Sequence, residues 1–534
     1  MGVVGGRGLP AVIRPSQRRK QVRALRYLSP PSMVAAVAER RRAGDWRGVC
    51  AAGLVDAHVD LRDVAARYGA EDAARVESDL LGFAPDLLRR FVPRLSSLAL
   101  LPRARVVLSR LPGEIGDRAL LVAYLPPDDR VRQRIALRVE SARDLGLRWY
   151  DLPDWCWHAD AVAARRWAYG ASADRLAWHD ADGDPYPPGT PAPRLPADRA
   201  DEVERLVELL TAGRVTAAYE AAGCAIDPTP VGRWPREESV TGSELAEVGA
   251  ALPVLAAESR RLARRYGPAP LRDAFGTVAV DVAPDGDLTI RAVAWDGDHA
   301  GPVAFGTPAP VDVALLRAGL LAVDDLHPLV HDALFPDRVQ APPPAPAPMA
   351  WPEFRVRCGT DWHQVLVVEG RIVTPWHTEW QIDRELLFAG LGGEIVGCAA
   401  AVRGFRTGAK RVPTEIRKIR RDLFALAFHG DTDSVLAIVA AGLDPTLHDG
   451  TGGTLMHWLH HLDHHRALPA LLAAGLSVTG TNSQGETPLH RAAGSAATDV
   501  MGALVEAGAD PDAVDRWGRT ATQVLAQVRS KPKR

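Results

Sequence analysis

Thr487-Pro488-Leu489-His490-Arg491-Ala492-Ala493 decides the fold of the C-terminal part of this 534-residue chain. A threonine followed by proline reads as a helix start. The hydroxyl accepts from an amide of the first turn, and proline at the first helical position has no N–H to leave unpaired. Outward from this stretch the same marks return every 33 residues. Ala-Gly stands at Ala441-Gly442, Ala474-Gly475 and Ala507-Gly508, and Gly475 and Gly508 suit the left-handed cap that ends a helix. Thr454, Thr487 and Thr520 keep the interval, as do Gly452, Gly485 and Gly518, and Asp449, Asn482 and Asp515. Four kinds of marker in one register identify an internal repeat.

The period, with Thr487-Pro488-Leu489-His490 and Ala492-Ala493, closely resembles the ankyrin repeat. The resemblance implies an all-α solenoid over about 414–527, with two full repeats plus capping half-repeats. It also implies that His490 bridges backbone groups of its own and the neighbouring repeat. Thr454-Leu455-Met456-His457 keeps the Thr and His but has Leu in place of Pro. Thr520-Ala521-Thr522-Gln523 keeps only the Thr and reads as a polar capping half-repeat, ahead of the basic tail 529–534. Upstream, Leu423–Phe428 and Val435–Ala441 read as a helix pair without the turn motif, since Ile416 stands where Asp449 would recur. So short an array leaves its N-terminal apolar face open, and the module 353–413 is expected to dock there. The whole chain also resembles actinobacterial ankyrin-repeat proteins, a likeness that implies no activity.

The ankyrin family holds other proteins with its turn tips and the concave face of each first helix. That likeness places the candidate protein-binding residues at Arg516, Trp517 and Arg519 on a tip and at Trp458, His461 and Arg491 on the concave face. Large aromatics and arginine are the types that dominate binding hot spots. His457, His460, His461, His464 and His465 are dense enough to share a metal if helical, because 457/461 and 461/465 are i,i+4 pairs. His457 is already used by the repeat motif and no cysteine joins the group. The cluster is therefore read as no physiological metal site, with pH sensitivity of a contact surface as its other possible use.

The rest of the chain reads as α+β, which makes the whole a multidomain α+β protein with a C-terminal solenoid. Its length suggests three or four domains. Residues 1–30 form a basic arm, expected to be unstructured, whose Arg7, Arg14, Arg18, Arg19, Lys20, Arg23 and Arg26 are the one hint of nucleic acid. A mostly helical domain spans 31–184, with strands at Val106–Leu108 and Leu120–Tyr124. Proline-rich linkers at 185–196 and 341–352 bracket a domain at 197–340, which carries long helices at Glu202–Ala212 and Ser243–Tyr266. It also carries a hairpin, Val278–Val282 with Leu288–Trp295, turning at Pro284-Asp285-Gly286. The module 353–413 shows strands Phe354–Cys358, Trp362–Val368 and Arg371–Val373, then a helix opened by the capping box Thr378/Gln381 and stopped by Gly390, Gly392 and Gly393.

Composition narrows the function. Hydrophobic residues at 47% and charged residues at 24% exclude a wholly disordered or fibrous chain, and a formal charge of −2 argues against a whole-chain nucleic-acid or membrane footprint. Fifty-nine of the 64 basic residues are Arg, read as the codon bias of a GC-rich genome. The expected location is cytoplasmic: no apolar signal core opens the chain and no run of apolar residues is long enough to span a bilayer. Cys50, Cys156, Cys224, Cys358 and Cys398 are scattered singly, which argues against a disulfide framework or zinc ribbon and for buried thiols. The aromatic stretch Trp149–His158 reads as a core segment. Trp362, His363, Trp376, His377, Glu379 and Trp380 suggest a pocket, with core packing the better account of the tryptophans.

Phosphate-loop, zincin, nucleophile-elbow and dinucleotide-binding motifs are absent. No cofactor and no catalytic residue is assigned. The leading expectation is an adaptor or scaffold that binds a protein partner through its repeats. The alternatives are an enzyme within 31–340 regulated by the array, or a protein that neutralises a toxin or effector.

Overall fold

In the computed structural model the chain forms two units: 1–127 with 134–343, whose buried residues form three hydrophobic clusters, and 128–133 with 344–534, built on one. The structure describes residues 22 and 24–530, apart from 96, 112–113, 147, 181–183, 187–197, 230, 234–235, 239–244, 246–250, 268–269, 273–277, 294–300, 303–309, 343–352, 369–370, 408–413, 443 and 445–446. Most of the basic arm and both proline tracts lie largely outside the described residues. Within the arm, residues 24–28 are helical, and Ala24, Tyr27 and Leu28 are buried.

The first unit is built on a six-stranded mixed sheet. Its order is Val55–Ala57, Ile135–Glu140, Leu120–Tyr124, Arg105–Val107, Arg148–Asp151 and Gly301–Pro302. The three central neighbours form an antiparallel meander, and the outer pairings are parallel. The meander is apolar on both faces: Leu120, Leu121, Val122 and Ala123 are all buried, so helices must cover it on each side. A four-stranded sheet follows in the order Cys224–Ile226, Leu288–Ala292, Val278–Val282 and Leu271–Arg272. Its hairpin turns where expected, with Gly286 at φ +91°. The helix before it is Leu252–Tyr266; most of the earlier part of the expected 243–266 run lies outside the described residues. Residues from both sides of the 185–196 tract, such as Trp155, Ala200, Val254 and Val330, share one core.

In the second unit the strands Phe354–Cys358, Asp361–Val368 and Arg371–Val373 pair antiparallel in that order. The capping box forms: the Gln381 amide donates to Thr378 Oγ1 at 3.3 Å and the Thr378 amide to Gln381 Oε1 at 2.8 Å, opening the helix Glu379–Gly390. A second helix, Gly397–Thr407, follows the glycines, where the sequence reading expected none. Its Cys398, Ala401 and Phe405 belong to the same buried cluster as Leu423, Leu455, Leu489 and Ala521, so the core of the module runs without a break into that of the repeats.

The repeats begin with the helices Thr414–Phe428 and Thr432–Ala440. Two further pairs follow, Leu455–His461 with His464–Ala473 and Pro488–Gly494 with Thr498–Glu506, and then the helix Ala521–Ser530. Leu455–His461 is a 3-10 helix, in which residues four apart do not share a face.

Candidate functional site

The surface of the array is built by its turn residues. Asp449 Oδ1 accepts from the amides of Thr451 (2.7 Å) and Gly453 (2.9 Å). Asn482 Oδ1 accepts from Gln484 (2.8 Å) and Glu486 (3.0 Å), and Asp515 Oδ1 from Trp517 (2.9 Å) and Arg519 (3.0 Å). A short side-chain acceptor at the head of each turn satisfies amides that would otherwise lack partners, which explains why Asp or Asn returns at this register. Successive tips are tied backbone to backbone, Ser483 N to Thr451 O at 2.8 Å and Arg516 N to Gln484 O at 3.0 Å.

Histidines lock each repeat to the next. His457 Nδ1 accepts from the Thr454 amide at 3.1 Å while Nε2 donates to Glu486 O at 3.1 Å. His490 does the same with the Thr487 amide (3.3 Å) and Arg519 O (2.9 Å). Each ring must be neutral to accept at one nitrogen and donate at the other. Burial supports this by pushing the His457 pKa down to about 4. Gly442, Gly475 and Gly508 all stand at positive φ where a helix ends, and Pro488 occupies a first-turn position.

The six candidate contact residues fall into two groups. Trp517 is 51% exposed at the last tip, with the Arg516 guanidinium 4.2 Å and the Arg519 guanidinium 4.8 Å from its ring. Arg519 is held by Asp515 Oδ2 at 2.7 Å and donates to Gln527 Oε1 at 2.9 Å. Burial opposes the Asp515 charge, but hydrogen bonds from the Arg519 side chain and from the amides of Arg519 and Trp517 outweigh it and hold its pKa below the usual range. The tip is therefore a fixed cationic-aromatic platform.

Trp458, His461 and Arg491 come together on the first helices, but with less surface. Trp458 is half-buried beside Phe424 and Phe428 and donates from Nε1 to Asp449 Oδ2 at 2.9 Å. His461 stacks on Trp458 at 5.6 Å, is buried, and has its pKa pushed down to about 3, by burial first and by Arg491 second. Neither of its ring nitrogens meets a hydrogen-bond partner among the described residues. Arg491 reaches over the Trp458 ring at 6.0 Å.

Two other expectations meet the structure here. Trp149, Tyr150, Trp155, Cys156, Trp157 and His158 are all buried, as the core reading of that stretch requires, and burial drives the Cys156 thiol pKa far up. The tryptophans of the small module are different. Trp362, Trp376 and Trp380 are each more than 60% exposed, which corrects the reading that core packing accounts for them. Trp362 lies on the outer face of the second strand, Trp376 in the turn after the third and Trp380 on the helix Glu379–Gly390, while Phe354, Val356, Val365 and Val367 fill the core. Cys358, His363, His377 and Cys398 converge in this module, a grouping that sequence reasoning missed because each ligand stands alone in the chain.

Comparison with known proteins bears on the C-terminal fifth. Residues 423–515 match the family model "Ankyrin repeats (3 copies)". Over 79 residues the chain is 30% identical to "Transient receptor potential cation channel subfamily A member 1" of Homo sapiens, a match covering 15% of this chain and 7% of that protein. No helix among the described residues is long and apolar enough to cross a membrane.

Proposed function

Because residues 423–515 are ankyrin repeats, we propose that the chain is a cytoplasmic adaptor or scaffold that grips a protein partner through its array. The observation that carries this reading is the platform at the last tip. Trp517 is an exposed tryptophan of the repeats, and two arginine guanidiniums stack on it. Such a surface suits a partner that inserts an apolar side chain flanked by carboxylates, since tryptophan and arginine supply large contact area and charge-assisted bonds together. Trp458 with Arg491 would form a second, shallower contact, and the repeat-locking histidines hold both in place. The buried state of Cys156 and His158 favours this reading over an active site near Trp149–His158.

Site-specific photocrosslinking tests it. A photoreactive residue at position 517 should yield one discrete adduct with a protein partner in a lysate of the encoding cells. The same probe at the exposed Glu506, on a second helix, should not. Equal adducts from both positions would contradict the reading.

A further inference from the structure

We propose that Cys358, His363, His377 and Cys398 bind a zinc ion that fastens the small module together. Among the described residues this is the one group of cysteine, histidine and carboxylate side chains whose ligand atoms converge, all lying within 4.8 Å of one another. The nearer separations are 3.0 Å for His363 Nδ1 to His377 Nε2, 3.4 Å for Cys358 Sγ to His377 Nε2 and 3.7 Å for Cys398 Sγ to His363 Nδ1. Zinc held tetrahedrally at about 2.3 Å from sulfur and about 2.0 Å from nitrogen sets edges of roughly 3.3–3.8 Å between its ligands. Two of the three observed separations fall within that range and the third, 3.0 Å, lies just below it. Two sulfurs and two imidazoles in a mononuclear arrangement select zinc over the harder divalent ions. Four protein ligands leave no open position, so the site is structural rather than catalytic.

The backbone is shaped for this convergence. Cys358 ends the first strand, and Gly359 at φ +65° turns the chain so that His363 on the second strand comes alongside. His377 precedes the helix Glu379–Gly390, and its amide donates to Thr374 O at 2.9 Å. Cys398 is in the first turn of Gly397–Thr407. Gly397 is at φ +58°, and a Cβ there would lie 2.8 Å from Cys358 Sγ and 2.9 Å from its Cα. Only glycine lets the two cysteine backbones approach this closely. The Trp376 ring stacks on His363 at 5.6 Å with a 20° interplanar angle and steadies it.

Zinc in this position would join the hairpin to the helix whose Phe405 enters the core shared with Leu423 and Phe424. The metal would then support the N-terminal cap of the repeat array. In the sequence the ligands are two single cysteines and two single histidines with no paired spacing, so nothing local announces the site.

The test uses the full-length chain. Metal content is measured on the purified protein, which is then stripped with chelator and titrated with Zn2+ and with Co2+ as a spectroscopic probe. One zinc per chain is expected, together with a Co2+ spectrum of tetrahedral intensity carrying a thiolate charge-transfer band. Cys358→Ser should roughly halve that band's intensity, since the Cys398 thiolate remains. His363→Cys, which keeps a ligand, should still bind and show stronger thiolate absorption, so a folding failure of the serine variant leaves a second reading. A chain that holds no zinc as purified, and after stripping gives no tetrahedral Co2+ spectrum, overturns the proposal. So does a spectrum unchanged in both variants, or iron in place of zinc.

Discussion

His490 donates from Nε2 to the carbonyl of Arg519, 29 residues along the chain, at 2.9 Å, and His457 repeats the bond to Glu486 at 3.1 Å. One side chain thus satisfies a helix-start amide in its own repeat and a carbonyl in the next. His490→Ala leaves both groups without their partner in a buried place, which costs about 1–3 kcal/mol. The urea midpoint of the array's unfolding should fall accordingly. An unchanged midpoint would contradict the role given to this histidine.

Successive tips approach one another most closely at Gly485. Gly485 is at φ +70°, and a Cβ there would stand 3.0 Å from Arg516 N. Gly485→Ala should cost about 1–2 kcal/mol from the left-handed backbone alone. Gly494→Ala, at a helix end with no atom within 4 Å of the added carbon, should be neutral or slightly stabilising. Thermal melting of the two variants checks this, and equal melting temperatures would count against the tight stacking of the tips.

Acid should loosen the array before carboxylates titrate. Burial pushes His457 down to about 4 and His461 down to about 3, from an ordinary value of 6.5. The unfolded chain therefore takes up protons first as pH falls. Stability present above pH 6.5 is lost progressively toward pH 4, at about 1.4 kcal/mol for each unit by which a group's two pKa values differ. His461→Leu removes an imidazole that makes no hydrogen bond among the described residues. It should match or exceed the parent at pH 7 and decline less steeply between pH 6.5 and 4.5. Melting temperatures across that range decide it: identical slopes would show that His461 does not report its burial.

Much of the repeat was legible because its markers are residues with few substitutes. Asp449, Asn482 and Asp515 accept from turn amides, Gly475 and Gly508 take positive φ, and Thr487 with His490 closes a helix start. Each role restricts the residue type, so the period shows through. The i,i+4 spacing of the histidine cluster presumes an α-helix, whereas Leu455–His461 winds as a 3-10 helix. Trp362, Trp376 and Trp380 misled because tryptophan in a small module usually signals a core, and here the aliphatic strand residues supply it. The convergence of Cys358, His363, His377 and Cys398 depends on a hairpin and an unexpected helix meeting, which no local spacing encodes.

At the candidate contact surface, the sequence placed Arg516, Trp517 and Arg519 on one tip, and they form one platform. The ankyrin likeness puts His461 on the concave surface, but it lies buried between Trp458 and Phe428 in the 3-10 turn.

The central claim is that the last tip grips a protein. Trp517→Ala removes an exposed ring and should change folding stability by no more than about 0.5 kcal/mol. Trp380→Ala removes a still more exposed ring, at 68% against 51%, from the small module and serves as the control. Affinity capture from a lysate of the encoding cells would compare the parent with both variants, followed by reconstitution of any captured protein with the purified chain. The account predicts a protein that binds the parent and Trp380→Ala directly and is lost with Trp517→Ala. Retention by Trp517→Ala at undiminished affinity would contradict it.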